Sequence, residues 1–330
     1  MPFDSTARAT RRRCVAAAVL IVAISLALAA KGDRADPLRF IVGAAAGSSP
    51  DLVARRLADG LSGELQRSVI VLNRPGASGM IAMEAVAHAR PDGDTIGLAT
   101  MSQLIFNTYV FSNLRYDPLH DLAPVATLVT TPMIIVAHPR FGARSFQALI
   151  ELAKKNPGDI QFATPGSGSP PRIILATITH ATGTHFNVIP FKSDIDSLAN
   201  VLNGEVPLLI TAPLIAAPHM RSGRLNAIAV TSRTRIGAFP DVPTVAESGY
   251  PNIEGESWLG IVAPAGTPPE YVERLNGVIR KVIAAPEFVA STESNGSRIL
   301  LTSPQQFSQL IREAHSHWGA ILRNLRSELR

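Results

Sequence analysis

The sequence predicts an α/β fold of two lobes, with parallel-rich sheets flanked by helices. Three observations carry that prediction. The chain has 330 residues, more than one hydrophobic core readily organises, and 46% of them are hydrophobic. From Arg39 onward, short β-prone runs alternate with stretches of helical period, the pattern of strand–helix–strand units with right-handed crossovers. The alternation restarts at Met133, as expected for a second lobe.

Ahead of the first strand, residues 1–30 carry Arg8, Arg11, Arg12 and Arg13 against one acid, Asp4, and an uncharged run follows from Cys14 to Ala30. A basic start, an apolar middle and the small-residue exit Ala27-Leu28-Ala29-Ala30 form the pattern of an export signal. Residues 1–30 are therefore read as a signal peptide and the mature protein as periplasmic. A retained membrane anchor is the alternative, since about 17–20 apolar residues can span a bilayer.

Arg39 to Val42 is the first strand and runs into the small-residue loop Gly43–Ser48. Val53, Leu57, Leu61 and Leu65 recur at every fourth position and place one apolar stripe on the helix that follows. Ser68 to Leu72 is the second strand, and Asn73-Arg74-Pro75-Gly76 turns the chain toward a helix through Met80, Met83 and Ala87. Pro91-Asp92-Gly93-Asp94 is a turn before the third strand, Thr95 to Thr100. In the second lobe, Met133 to Ala137, Ile160 to Thr164, Val188 to Pro190, Val206 to Thr211 and Asn226 to Thr231 read as strands. A helix from Ser145 to Lys155 puts Phe146, Leu149, Ile150 and Ala153 on one face, and another runs from Pro170 to about Thr182. Asn203-Gly204 ends a further helix. Two helices finish the chain, roughly Pro269–Ala284 and Pro304–Leu325.

A formal charge of +5 suggests a polyanionic partner until its position is read. Most of the excess lies in the signal, and the remainder shows neither a basic stripe nor interleaved aromatics, so no nucleic acid is expected as a partner. The single cysteine, Cys14, falls in the signal as well, which excludes a disulfide scaffold and a thiolate metal cluster.

One feature recurs where strands give way to helices. Gly47-Ser48-Ser49-Pro50-Asp51 and Gly166-Ser167-Gly168-Ser169-Pro170 each offer a serine N-cap and a proline at the first helical position. Pro75-Gly76-Ala77-Ser78-Gly79 is a third small-residue start of the same kind. Free N–H groups and the positive end of a helix dipole attract a carboxylate or phosphate, and glycine lets the backbone approach it. Ligands of open α/β sheets bind outside the carboxyl ends of the strands, where all three loops fall. Ordinary helix capping explains any one of these loops; their recurrence points to a cleft for a small anion.

Other chemistry is missing. No Gly-Lys dipeptide supports a phosphate-binding loop, and no G-x-G-x-x-G follows a strand. Neither a G-x-S-x-G elbow nor an S-x-x-K pattern exists. Of the eight histidines only His315 and His317 are close-set, and alternate helical residues point about 200° apart, so they cannot chelate one ion together. No metal and no cofactor are expected.

Several stretches are specific as a group. They are Val71-Leu72-Asn73-Arg74-Pro75-Gly76-Ala77-Ser78-Gly79, Arg90-Pro91-Asp92-Gly93-Asp94-Thr95, Val230-Thr231-Ser232-Arg233, Pro240 to Gly249, and Trp258 to Pro268. Across Leu38 to Trp318 the sequence resembles the tripartite tricarboxylate transporter substrate-binding receptors, the Bug family. The resemblance implies a type II periplasmic-binding-protein-like fold whose crossover strands act as a hinge. Lobe one would be 38–133 plus 259–330, and lobe two 134–258. It implies capture of a small carboxylate or similar solute, held by backbone amides, hydroxyls and water, and delivery to a membrane permease by a monomeric receptor.

The candidate ligand-binding residues follow from the loops and the resemblance together. From lobe one they are Gly47, Ser48, Ser49, Asp51, Gly76, Ala77, Ser78 and Ser102. From lobe two they are Ser167, Gly168, Ser169, Arg172, Lys192 and Thr211. The chain departs from the family pattern at several of them. Arg172 replaces a usual histidine, and Phe191-Lys192-Ser193 stands for Tyr-Lys-Gly. Thr211-Ala212-Pro213 replaces an expected acid, whose loss argues against an amino-acid ligand. Arg172 and Lys192, if they face the cleft, favour a di- or tricarboxylate. Two alternatives to the receptor remain at this point: a hydrolase or isomerase on the same fold using Ser or His, and an anchored sensor subunit.

Overall fold

The computed structural model describes residues 36–325, so the export signal read at 1–30 lies outside the described residues. The chain opens with β1 (Leu38–Val42), α1 (Ser49–Leu65), β2 (Val69–Asn73), a 3₁₀ turn at Ala77–Gly79, α2 (Met80–Ala87) and β3 (Thr95–Thr100). β1 pairs in parallel with both β2 and β3, as the alternation predicts. Beyond β3 a π-helical turn, Ser102–Phe106, runs into the short α3 (Asn107–Val110). Then comes β4 (Leu122–Pro132), a strand the sequence reading passed over.

Met133 alone separates β4 from β5 (Ile134–Ala137), the first strand of a second sheet. That sheet continues through α4 (Phe146–Lys155), β6 (Gln161–Thr164), α5 (Pro170–Thr182), β7 (Asn187–Pro190), α6 (Asp194–Leu202), β8 (Leu208–Thr211), α7 (Pro213–Arg221) and β9 (Asn226–Val230). The chain returns to the first sheet as β10 (Glu256–Pro264) and ends with α8 (Pro269–Ile283), α9 (Pro286–Glu293), the two-residue β11 (Arg298–Ile299) and α10 (Pro304–Asn324). The final segment thus holds three helices where the sequence suggested two, α9 being the addition. The first sheet has the order β11-β4-β10-β3-β1-β2 and the second β7-β6-β8-β5-β9. Parallel pairing is confined to β2-β1-β3 and β7-β6-β8; the crossing strands β4, β5, β9 and β10 pair antiparallel.

Both sheets are covered on both faces, which their continuous apolar strands require. Along β5, Ile135 and Ala137 pack with Phe146 and Phe162, while Ile134 and Val136 pack with Val201 and Ile215 on the other side. In the first sheet Phe40, Leu57 and Leu61 build one core; Met83, Phe106 and Trp258 build another. The stripe on α1 is rotated from the predicted one. Ala54, Leu57, Ala58 and Leu61 are buried, whereas Val53 and Leu65 pack at its margins.

Where the chain crosses between sheets, one threonine ties the strands together. Thr231 Oγ1 accepts the Met133 N–H at 2.9 Å and donates to the Gly255 carbonyl, while its own N–H donates to the Met133 carbonyl at 2.9 Å. The Met133 and Thr231 backbones at the crossing thereby hydrogen-bond to each other, and the Gly255 carbonyl is satisfied by the same side chain.

Candidate functional site

Each parallel strand delivers its following loop to a single cavity of about 620 Å³. Gly43–Ala45 follow β1, Pro75–Gly79 follow β2, and Thr100, Ser102 and Gln103 lie at the end of β3. From the second sheet come Pro165–Ser167 and Ser169 after β6, Phe191–Asp194 after β7, and Thr211 and Ala212 at the end of β8. This is the general ligand position of open α/β sheets, here supplied by two sheets at once.

The second of these loops has the least ordinary backbone. Gly76, Ala77, Ser78 and Gly79 have φ values of 122°, 47°, 52° and 82°, four consecutive residues with positive φ. For Ala77 and Ser78 the left-handed conformation costs on the order of 1 kcal/mol each, strain of a kind concentrated at binding sites. No side chain can stand at Gly79, because a Cβ there would meet the Gln103 Nε2 at 1.9 Å. Gln103 therefore packs its amide over this turn, held by the Thr100 N–H donating to its Oε1 at 2.7 Å. The π-helical turn makes this possible, turning Ser102 and Gln103 toward the cavity while Leu104 to Phe106 enter the core.

Nine of the fourteen candidate residues line the cavity: Ser49, Gly76, Ala77, Ser78, Ser102, Ser167, Ser169, Lys192 and Thr211. Thr211 is fully buried, and its hydroxyl has no partner among the described residues. The helix start at Ser169 is as expected, with its side chain accepting the Arg172 N–H at 3.3 Å.

Five candidates stand behind the wall. Asp51 is 1% exposed and accepts from the Gly47 N–H at 2.8 Å, Arg55 Nε at 2.9 Å and Asn73 Nδ2 at 2.8 Å. Burial pushes its carboxyl upward, but those donors and the Arg55 charge more than reverse it, and the net shift is down. Asp51 thus fastens the loop of β1 to the end of β2, and Gly47 serves the same knot with φ of 80°. Ser48 is buried beneath the loop and caps α1 with no side-chain hydrogen bond, so the helix begins one residue earlier than the Ser49 cap expected from sequence. Gly168 faces the opposite wall instead of the cavity; a Cβ there would meet Asn107 Oδ1 at 2.4 Å. Arg172 lies one turn inside α5, whose neighbouring Ile173 packs into the core containing Leu104, and it does not line the cavity.

Asp194 is the residue that sequence reasoning missed. It is the first residue of α6, lines the cavity, and accepts the Ser49 N–H at 3.3 Å from across the cleft and the Ile195 N–H at 3.1 Å. The wall therefore does contain an acid, contrary to the expectation drawn from Thr211-Ala212-Pro213. Burial raises its carboxyl above the usual range, the N–H donors lower it in part, and Asp196 adds like charge. A second bond spans the cleft, from the Gly168 N–H to Ser78 Oγ at 3.3 Å. The α1 N-terminus read as an anion site is thus already facing a carboxylate of the protein itself. Ser193-Asp194-Ile195-Asp196 reads in sequence only as a capped helix start, and Ser49 is 145 residues away.

Comparison with known proteins agrees with this architecture. The profile of the tripartite tricarboxylate transporter family receptor matches residues 53–326. A UPF0065 protein of Bordetella bronchiseptica is 35% identical over 316 residues, covering 92% of this chain and 93% of its own. Protein BugT of Bordetella pertussis is 32% identical, covering 90% and 91%. Among solved structures, R. palustris Rpa4515 with adipate superposes with a TM-score of 0.85 at 26% identity, over 88% of this chain and 97% of that one. MatC from Rhodopseudomonas palustris with bound malate gives 0.83 at 25% identity, over 87% and 99%. The two-sheet α/β architecture, the cavity at the strand ends and these matches lead to one conclusion: the chain belongs to the tripartite tricarboxylate transporter receptor family, whose fold is that of periplasmic binding proteins.

Proposed function

We propose that the protein captures a small organic carboxylate in the cavity described above and presents it to a membrane permease, binding its solute without chemical change. The observation that carries this reading is the shared wall: every parallel strand of both sheets ends at the same cavity. The solute would lie between lobe one (38–133 plus 259–330) and lobe two (134–258), and the lobes would close on it by a hinge at Met133 and Thr231. Neighbours solved with adipate and malate support a carboxylate ligand. The strained turn Gly76–Gly79 and the capped start of α5 at Ser169 supply the backbone side of recognition, with Lys192 adding positive charge.

A hydrolase using a Ser–His pair is less well supported, because no histidine is among the residues that line the cavity. Export is the natural setting for such a receptor. The mature protein is expected to act as a monomer, and N-terminal sequencing of protein recovered from cells should begin near residue 31.

A thermal-shift screen of mono-, di- and tricarboxylates tests the reading. A ligand at about 100 times its Kd should add roughly 2.7 kcal/mol of stability. Absence of any response, together with turnover of an ester or amide, would remove the receptor reading.

A further inference from the structure

We infer that the solute carries a positive group as well as a carboxylate, and that Asp194 is the residue that reads it, so the ligand class is an amino carboxylate. This deepens the receptor reading and rests on it. Two charged side chains line the cavity, Lys192 and Asp194, and they have opposite sign. A wall with one charge of each sign complements a zwitterion better than a dianion, whose second carboxylate would be brought toward Asp194.

The carboxylate of Asp194 is only partly answered by the protein. Its donors are the backbone N–H groups of Ser49, Ile195 and Asp194 itself, and no cationic side chain among the described residues forms an ion pair with it. A carboxylate offers about four acceptor positions, so capacity remains on the side that faces the cavity. A partly buried carboxylate without a cation is costly to keep ionised, as its upward shift reflects. The groups around it do not relieve this. From its own helix Asp196 adds negative charge, and from the opposing α1 only the neutral Ser49 N–H reaches it. A ligand ammonium supplies both missing items, a full positive charge and three donors. The ligand carboxylate then falls to the Gly76–Gly79 turn and the start of α5, which line the same cavity.

The test uses matched pairs that differ only in the amine: aspartate with succinate, glutamate with glutarate, alanine with propionate, phenylalanine with 3-phenylpropionate. Calorimetric titration of the full chain near neutral pH should find one amino member bound at least about tenfold more tightly than its partner. Asp194→Asn should reduce that ratio to a few-fold while leaving the protein folded by circular dichroism. In the wild type, affinity for the amino member should fall as pH drops through the titration of Asp194, since the ammonium needs the ionised form. This second readout holds even if the variant does not fold. Equal or tighter binding of the deaminated members would overturn the inference and leave the receptor reading standing. An unchanged ratio in Asp194→Asn would do the same, as would dicarboxylate affinity that rises on acidification, the mark of a protonated Asp194 donating to the ligand. Binding of neither member of any pair would overturn the inference and leave the receptor reading to the wider carboxylate screen.

Discussion

Asp51 and Asp194 each lie in the first turn of a helix, on opposite sides of the cleft, and both gain from the positive end of that helix. They differ in who satisfies them. Asp51 takes its hydrogen bonds from Gly47, Arg55 and Asn73, all on the same side of the molecule, and its carboxyl is shifted down. Asp194 draws bonds from two N–H groups of its own helix start, its own and that of Ile195, and one from Ser49 on a loop of the other sheet, and its carboxyl is shifted up. An acid saturated by the loops of its own sheet is part of the frame. An acid that draws on a loop of the other sheet keeps part of its capacity toward the cavity.

The largest way to break this contrast is Asp51→Ala. The substitution removes the acceptor of the Gly47 N–H and one of the two acceptors of Asn73 Nδ2, which keeps the Ala44 carbonyl, so about 1–3 kcal/mol of stability should be lost in urea unfolding. Little of that comes from the ion pair itself, since the Arg55 side chain is 50% exposed. A loss under about 0.5 kcal/mol would mean that Asp51 is no more a frame residue than Asp194.

Next in size is Gly168→Ala, which separates contacts around one sheet from contacts between the two sheets' loops. A methyl group at this position would meet Asn107 Oδ1 at 2.4 Å, with Phe111 and Ser78 Cβ both at 3.2 Å, and all three belong to the other side. The backbone of Gly168 has no positive φ, so alanine brings no local strain. Ligand affinity should therefore fall by about ten- to a hundredfold, roughly 1.4–2.7 kcal/mol, with ligand-free melting nearly unchanged. Equal losses in both measurements would show that Gly168 supports the fold itself and not the proposed closure over a ligand.

The same contrast marks what could be read from sequence. Period and turn residues gave β1, β2, β3 and the helices between them, because each rests on contacts close along the chain. The loops at Gly76–Gly79 and Gly166–Ser169 were legible for the same reason: small residues after a strand have few other uses. The strand β4 escaped because its partners β10 and β11 lie more than a hundred residues away and no local pattern marks its start. Asp51 and Asp194 were the harder case. Both look like acids in a helix's first turn, and the sequence reading placed Asp51 in the site and left Asp194 out. Locally only Arg55, four residues after Asp51 where Asp194 has Leu198, distinguishes them; the rest of the difference is made by Asn73 behind one and Ser49 opposite the other.

The smallest expected effect sharpens the contrast most, because the two acids should respond to pH with opposite sign. Asp51 titrates below its ordinary 3.8 when folded, so its contribution is complete above that value and is lost as pH falls through the lowered titration. Asp194 titrates above 3.8 when folded. The folded state then holds that proton more tightly than the unfolded chain, and stability falls as pH rises from the unfolded value to the raised one. In ligand-free protein, Asp194→Asn removes this penalty while losing part of the favourable interaction with the start of α6. The net expectation is a gain of less than about 1 kcal/mol at neutral pH, shrinking to nothing well below 3.8, where the wild-type carboxyl is protonated in both states. Urea unfolding of both proteins over a pH series measures it. A variant less stable than wild type at neutral pH, with the pH slope unchanged, would make Asp194 a second frame residue, held in the cleft wall for the same reason that Asp51 is held behind it.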